Sequence, residues 1–100
     1  MTIGAASLTS TLVIDMNLYY ITQNVRSGWD TYDGAVVAAK NIKDARTIHP
    51  SNFTDNKWWE EPQSPYSAWA HRLDQVEVEL IGKAKRGVKR GVVVASFNAG

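Results

Sequence analysis

A chain of 100 residues with 44% hydrophobic and 10% aromatic side chains has the length of one small domain and is too apolar to be disordered. Its formal net charge of +1 argues against a general nucleic-acid binder, because such proteins are strongly positive overall. An anion would have to be bound by a local cluster of cations. The absence of cysteine excludes disulfides, thiolate chemistry and cysteine-based zinc sites.

The first 15 residues, MTIGAASLTSTLVID, differ in character from the rest of the chain. They have neither the basic start nor the long apolar core of a secretory signal, and Asp15 interrupts them before a membrane-length run is reached. We therefore expect residues 1–15 to be a disordered N-terminal extension and residues 16–100 to be a single domain. The same features predict a cytoplasmic protein with no membrane partner.

Two strands and a short helix are predicted next along the chain. Residues 18–23 (LYYITQ) and 35–39 (AVVAA) are rich in β-branched, aromatic or apolar side chains and flank a turn-rich segment, which indicates a long hairpin. Asn41 is placed to cap a helix that starts at Ile42, and Pro50 is placed to end it. We interpret His49 as a cation beside the last carbonyl groups of this helix.

The second half of the domain begins with residues 51–71, a long loop rich in Trp and Pro. Residues 76–80 then alternate between apolar and acidic side chains, as in a half-exposed strand. Gly82 and Gly87 bracket a basic stretch that reads as the solvated tip of a hairpin leading into a last strand over residues 91–97. The order ββαββ predicts an α+β fold with a mostly antiparallel sheet of about four strands, one short helix and a long Trp-rich loop.

The sequence contains no recognisable catalytic or metal motif. Neither His49 nor His71 belongs to a pair with metal-ligand spacing, and no GxSxG, GxGxxG or Walker pattern occurs. Glu60 and Glu61 are adjacent, so their side chains diverge instead of sharing one site. These observations predict a protein that is not an enzyme and that holds neither a metal nor a cofactor.

Exposed aromatic rings and clustered cations are the features that favour binding. Trp and Tyr side chains in loops stack on nucleobases or anchor protein interfaces, although Trp58 and Trp69 are equally suited to covering the core. The cations between Lys83 and Arg90 flank two glycines, which suits contacts with phosphate as well as a plain solvated turn.

Two long segments carry a resemblance to a known family. The segments NLYYITQNVRSGWDTYDGAVVAAKNIKDARTIHPS and WAHRLDQVEVELIGKAKRGVKRGVVVASFNAG resemble a family of small phage-encoded proteins with a "YDGAVVAA" strand, a "DAR-IHP" segment and a "GV-ASFNAG" tail. The likeness covers nearly everything after Met16. The Trp-rich middle loop is shorter here, and the basic stretch richer in cations, than in those relatives.

The resemblance implies an anti-CBASS sponge, a non-enzymatic phage protein that sequesters a cyclic dinucleotide immune signal such as cyclic GMP–AMP. It also implies a homo-oligomer that has no long nucleic acid as a partner. The expected base platforms are Trp29, Tyr32 and Trp69, and the expected phosphate partners are Arg26, Lys83 and Arg86. Thr31, Asp33, Ser96 and Asn98 are expected to bind base edges or ribose.

Two other functions fit the same residues. A protein-binding inhibitor of a host defence factor would use the exposed aromatic rings as interface anchors. A phosphodiesterase that cleaves the signal is the third alternative.

Overall fold

The computed structural model describes residues 15–51, 57–60 and 67–99. The expected extension over residues 1–15 lies outside this range apart from Asp15, and so does much of the Trp-rich loop.

In the part of the chain that the structure describes, four strands form one open antiparallel sheet: β1 (Asn17–Thr22), β2 (Thr31–Ala39), β3 (Glu77–Lys83) and β4 (Gly91–Asn98). Their order across the sheet is β3-β1-β2-β4. Within the described residues, the remaining elements are a short helix, α1 (Ile42–Arg46), and two 3₁₀ turns, Trp58–Glu60 and Leu73–Gln75. The prediction of an antiparallel four-stranded sheet with one short helix is confirmed, and the sheet is much the larger part.

The strand order differs from the one implied by the ββαββ prediction, because β3 and β4 are not neighbours. β1 and β2 form the central hairpin, β3 pairs with β1, and β4 pairs with β2 on the far side. The prediction that the basic stretch forms the tip of a hairpin is therefore wrong. Residues 84–90 form a connection that crosses one end of the sheet. We call residues 84–90 the basic connection.

Three contacts fix the path of the basic connection. The Ala84 N–H donates to the Met16 carbonyl over 2.9 Å, next to β1. A turn follows in which Val88 N–H donates to Lys85 O over 3.1 Å, with Gly87 at a φ of 93° that favours glycine. Arg90 then binds α1. Seven residues reach easily across three strand spacings of about 4.8 Å each.

Helix α1 begins where the sequence predicts. The Asn41 Oδ1 accepts a hydrogen bond of 2.8 Å from the Asp44 N–H, which confirms Asn41 as the N-cap. Arg90 Nε donates to Asp44 Oδ1 over 2.8 Å and its NH2 group donates to Thr47 Oγ1 over 3.0 Å, so α1 and the start of β4 are held together.

The core lies between one face of the sheet and the segment that contains α1 and the two 3₁₀ turns. Alternate side chains of β1 and β2, such as Tyr19 and Val37, point into it from the sheet. Ile48, Trp58 and Trp69 cover these from the other side, with relative exposures of 1%, 4% and 0%. Trp58 Nε1 donates to the Thr47 carbonyl over 2.9 Å, which satisfies its one polar atom.

His49 is partly buried against the aromatic rings of this core, so its interpretation as a charged helix cap is wrong. Its ring lies 5.8 Å from the Trp58 ring and 6.4 Å from the Trp69 ring, and its Nδ1 accepts from the Ser51 N–H over 3.1 Å. Burial among these rings lowers the pKa of His49 to about 4, because desolvation penalises the charged form. The imidazole is therefore neutral at pH 7.

The opposite face of the sheet carries apolar side chains that are only partly covered. Tyr20 is 40% exposed and Val94 is 59% exposed, and Leu18 and Val36 are half-buried on the same face. We call this the open face.

Candidate functional site

The connection between β1 and β2, residues 23–30, is built around Gln23. Its side chain is only 8% exposed and makes four hydrogen bonds. Gln23 Oε1 accepts from the N–H groups of Val25 and Arg26, both at 2.8 Å, while Nε2 donates to the carbonyls of Arg26 and Tyr32 at 2.8 and 3.0 Å. The start of the connection is thereby fixed to the start of β2.

Trp29 lies at the far point of this connection, with 76% of its surface exposed. It stands between two residues with positive φ, Gly28 at 91° and Asp30 at 61°. Gly adopts this region freely and Asp tolerates it better than most residues, so the chain reverses here without a large penalty. The reversal turns the indole away from the core.

Several polar groups at the ends of β2 and β4 surround this turn. Thr31 Oγ1 donates to the Gly28 carbonyl over 2.8 Å, and the Asp30 N–H donates to the Asn98 carbonyl. Asn98 Nδ2 donates to Asp33 Oδ1 over 3.0 Å. The last residue of β4 is therefore bonded to two residues that follow Trp29. The side that precedes Trp29 is held by the bond from Thr31 to Gly28.

Arg26 contacts His71 at this same end of the sheet. The guanidinium Nε and NH2 atoms lie 3.1 and 2.9 Å from His71 Nε2. Because a guanidinium only donates, Nε2 is the acceptor and the ring proton of the neutral imidazole is on Nδ1. We call the group Arg26, Trp29, Asp33, His71 and Asn98 the hairpin-tip site.

Six of the ten residues predicted from the sequence lie in or beside this site: Arg26, Trp29, Thr31, Tyr32, Asp33 and Asn98. The side chains of Thr31 and Tyr32 already make contacts within the protein. The Thr31 side chain is 6% exposed and bonded to Gly28, and the Tyr32 ring packs on Phe97 with the centroids 4.8 Å apart. Ser96 is exposed on β4 opposite Gly34, two residues from Asn98.

Trp69 does not lie at the site in this structure, because its indole has no exposed surface. Core packing is the alternative that the geometry supports for both Trp58 and Trp69. The Trp69 Nε1 is buried without a hydrogen-bond partner among the described residues. A buried donor of this kind costs free energy, and the large apolar ring offsets that cost by its burial.

Lys83 and Arg86 lie at the other end of the sheet. Lys83 pairs with Asn17, which in turn pairs with Ala39, the last residue of β2, whereas the hairpin-tip site adjoins Thr31, the first. The nine residues of β2 span about 26 Å at about 3.3 Å per residue. One copy of the chain therefore does not bring these two cations to Trp29.

Sequence reasoning missed the role of Gln23 and left His71 out of the candidate site. A glutamine followed by the turn-rich VRSGWD is a weak signal, since nothing local distinguishes a buried amide from a solvated one. His71 lies 45 positions from Arg26 in the chain, so only the fold reveals the contact.

The hairpin-tip site offers a flat indole, a guanidinium, an imidazole, a carboxylate and a carboxamide. These groups can stack on a ring, contact an anion and exchange hydrogen bonds. Within residues 15–51, 57–60 and 67–99, no group of three or more His, Asp or Glu side chains could hold a metal ion. In the same ranges, no helix is long and apolar enough to cross a membrane.

Comparison with known proteins adds no relative: no family model, no curated protein and no solved structure matches this chain.

Proposed function

We propose that this protein binds and sequesters a small nucleotide of the cyclic dinucleotide class without altering it. The observation that carries the proposal is the exposed indole of Trp29 on a turn held in place from both sides. An exposed Trp on a fixed backbone is preorganised for stacking, so little conformational freedom is lost when a base binds.

The neighbours of Trp29 supply the other contacts that such a ligand needs. Arg26 carries the positive charge for a phosphate, and the paired Asp33 and Asn98 side chains offer an acceptor and donors for base edges or ribose hydroxyls. The resemblance to phage sponge proteins points to the same ligand class and to a phage protein that acts in the host cytoplasm.

Isothermal titration with a panel of cyclic dinucleotides and cyclic trinucleotides tests the proposal. Trp29→Ala removes the stacking surface and should weaken binding about 5- to 150-fold, the equivalent of roughly 1–3 kcal/mol for one stacked base. Trp29→Phe retains a ring and should recover part of the affinity. Leu80→Ala, which truncates an exposed side chain on β3, is the control and should bind like the wild type.

Two outcomes contradict the proposal. One is the absence of heat with every member of the panel, and the other is unchanged affinity in Trp29→Ala. Ligand recovered intact after heat denaturation of the complex supports sequestration, whereas a linear product indicates the phosphodiesterase alternative.

A protein-binding inhibitor of a host defence factor is the second candidate, and the same indole favours it. Val25, in the same connection, is 40% exposed and would widen an apolar contact around Trp29. Capture of one host protein by the wild type but not by Trp29→Ala, together with no nucleotide binding, would favour this candidate.

A further inference from the structure

The cationic side chains of this protein are concentrated at one end of the sheet. β3 ends there at Lys83, which pairs with Asn17 at the start of β1. Asn17 pairs in turn with Ala39, the last residue of β2, and Lys40 follows it. Helix α1 begins at the same end, and the basic connection crosses it. Six exposed cations lie in this region, and we call them the basic end: Lys40, Lys43, Lys83, Lys85, Arg86 and Lys89.

The overall net charge of +1 does not reveal this separation. Together with Arg90, the basic end holds seven of the 11 cationic residues, whereas only two of the 10 acidic residues, Asp15 and Asp44, lie beside it. The net charge is therefore +5 at this end and −4 over the rest of the chain. Arg90 is paired with Asp44, but none of the six exposed cations forms an ion pair within residues 15–51, 57–60 and 67–99.

Six unpaired cations at close spacing require a partner with closely spaced negative charges. They are spread over three strand spacings, about 14 Å. Duplex nucleic acid carries one negative charge per about 1.7 Å of its axis, about eight over this span. An extended acidic peptide presents one side chain per about 7 Å on each face, which gives about two or three. The charge density of the basic end therefore matches the duplex better.

The basic end offers charge without stacking surfaces. Residues 40–44 and 83–90 contain no Phe, Trp or Tyr, and Trp29 lies beyond the other end of β2, about 26 Å away. Proteins that bind single strands stack bases on aromatic rings, and aromatic rings also anchor proteins in membrane interfaces. Neither partner is favoured here, whereas contacts with the phosphates of a duplex need no such ring.

The turn of the basic connection also leaves room for a phosphate. Gly87 has a φ of 93°, and no atom lies within 4 Å of the position that a Cβ would take there. A backbone without a side chain at this point can approach an anion closely, between the flanking Arg86 and Lys89.

We propose that the basic end binds the phosphate backbone of double-stranded nucleic acid without reading its sequence. This surface is separate from the hairpin-tip site and does not rest on the proposed function. It gives a role to Lys83 and Arg86, which lie too far from Trp29 to share a ligand with it in one copy. The resemblance to phage sponge proteins implies no such partner, so the inference comes from the charge distribution alone.

Fluorescence anisotropy with a labelled duplex of arbitrary sequence tests the proposal on the full chain. The logarithm of the affinity should fall linearly with the logarithm of the salt concentration. If four to six phosphates are neutralised, the slope is about −3.6 to −5.4. Duplexes of unrelated sequence should bind with equal affinity, because phosphate contacts carry no sequence information.

A double variant, Lys85→Ser with Arg86→Ser, removes two of the proposed contacts. The turn itself is retained, since the Val88 N–H donates to the backbone carbonyl of residue 85. We expect the slope to become shallower by about 1.8 and the affinity to fall by about tenfold or more at low salt.

Lys57→Ser with Arg72→Ser is the matched control. It also removes one lysine and one arginine, both exposed and both outside the basic end. The overall charge changes by the same amount, so the slope and affinity should stay close to those of the wild type. If the Lys85–Arg86 variant does not fold, Lys89→Ala replaces it and should make the slope shallower by about 0.9.

Several outcomes overturn the proposal. One is the absence of duplex binding by the wild type at low salt, and another is equal weakening in the two double variants, which would indicate a general effect of net charge. Tighter binding to polyglutamate than to the duplex would assign the basic end to an acidic protein instead. Binding to phosphatidylserine vesicles without binding to the duplex would assign it to a membrane surface.

The two proposed sites can fail independently. Trp29→Ala should bind the duplex like the wild type, and the Lys85–Arg86 variant should keep the wild-type affinity for the cyclic nucleotide. A wild type that binds the duplex but no cyclic nucleotide contradicts the proposed function and leaves the basic end standing. Loss of duplex binding in Trp29→Ala overturns the basic end as a separate surface.

Discussion

Gln23 uses all of its side-chain hydrogen-bonding capacity on the backbone of its own connection and of the start of β2. It accepts from two backbone N–H groups and donates to two backbone carbonyls while almost fully buried. Each bond contributes about 1 kcal/mol net, but a buried group left unpaired costs about 1–3 kcal/mol. The exposed position of Trp29 therefore depends on a side chain that itself has little contact with solvent.

Gln23→Glu keeps the two hydrogen bonds that the side chain accepts and removes the two that it donates. The carboxylate still accepts from Val25 and Arg26, but it faces the carbonyls of Arg26 and Tyr32 with no proton to donate, so we expect a loss of roughly 2–4 kcal/mol in the free energy of unfolding. Urea denaturation measures this.

Gln75→Glu is the control for that experiment. The two hydrogen bonds of the Gln75 side chain are both accepted by its Oε1, from the N–H groups of His71 and Arg72 at 2.8 and 3.0 Å. A carboxylate keeps both bonds, so stability should stay within about 0.5 kcal/mol of the wild type. Equal losses in the two variants would argue against the network as described.

His49 makes the stability depend on pH. Because its pKa falls from 6.5 in the unfolded chain to about 4 in the folded protein, the unfolded chain binds more protons between these values. Stability is therefore constant with respect to this group above pH 6.5 and falls as the pH drops towards 4. The loss is at most about 3 kcal/mol, reduced by the partial exposure of the ring.

His49→Gln isolates this contribution, since it removes the titrating group. Urea denaturation at pH 7 and pH 4.5 should show a smaller drop in the variant than in the wild type. Identical drops would mean that acid sensitivity comes from other groups.

Single residues were predictable from the sequence where the cause is local. Asn41 caps α1 as predicted because its partner, the Asp44 N–H, is three residues away. Trp69 and His49 show the limit, since burial depends on what covers a side chain, and their neighbours come from distant parts of the chain.

At the scale of elements, β2 depends on close contact at Gly34. A Cβ added there would lie 2.8 Å from the Ile21 carbonyl oxygen and 3.0 Å from Tyr20 Cε1. The carbonyl belongs to the neighbouring strand and cannot move without disturbing the β1–β2 ladder. The Tyr20 ring thus lies over Gly34 on the open face of the sheet.

Gly34→Ala should therefore destabilise the protein by roughly 1–3 kcal/mol, although alanine is normally the better residue in a strand. Thermal or urea denaturation measures the change. Ser96→Ala, at the exposed position opposite Gly34, should change stability by less than about 0.5 kcal/mol. A neutral or stabilising Gly34→Ala would contradict the close packing.

Arg90 joins the basic connection to α1, so its replacement should destabilise the attachment of both elements. The pair with Asp44 is partly shielded, with side-chain exposures of 30% and 16%, so Arg90→Ala should cost roughly 1–2 kcal/mol. Lys89→Ala removes an exposed neighbouring cation and should be nearly neutral. An equal loss of stability in Arg90→Ala and Lys89→Ala would mean that the Arg90–Asp44 ion pair adds no specific stabilisation.

The extents of the elements were largely predictable, and β2 shows why one was not. The strand begins at Thr31, four residues before the predicted start, because Asp33 and Gly34 read as turn residues. The register of β2 with β4 shifts at that position, so the strand passes through the turn-like residues as a bulge.

At the scale of the molecule, the sequence could not reveal which strands are neighbours. Gly82 and Gly87 make a hairpin between β3 and β4 the simplest local interpretation, yet the strands occupy opposite edges. The positions of β3 and β4 depend on the central β1–β2 hairpin, which has two edges: β3 pairs with β1 and β4 pairs with β2. The separation of Lys83 and Arg86 from Trp29 follows from the same topology.

The strand order also has a consequence for how the chain folds. Contacts between β1 and β2 are local, whereas β3 and β4 must each close a long loop before they gain a partner, and loop closure slows non-local pairing. The central hairpin should form early, with the outer strands added later. Substitutions in β4 should then accelerate unfolding in stopped-flow experiments far more than they slow refolding.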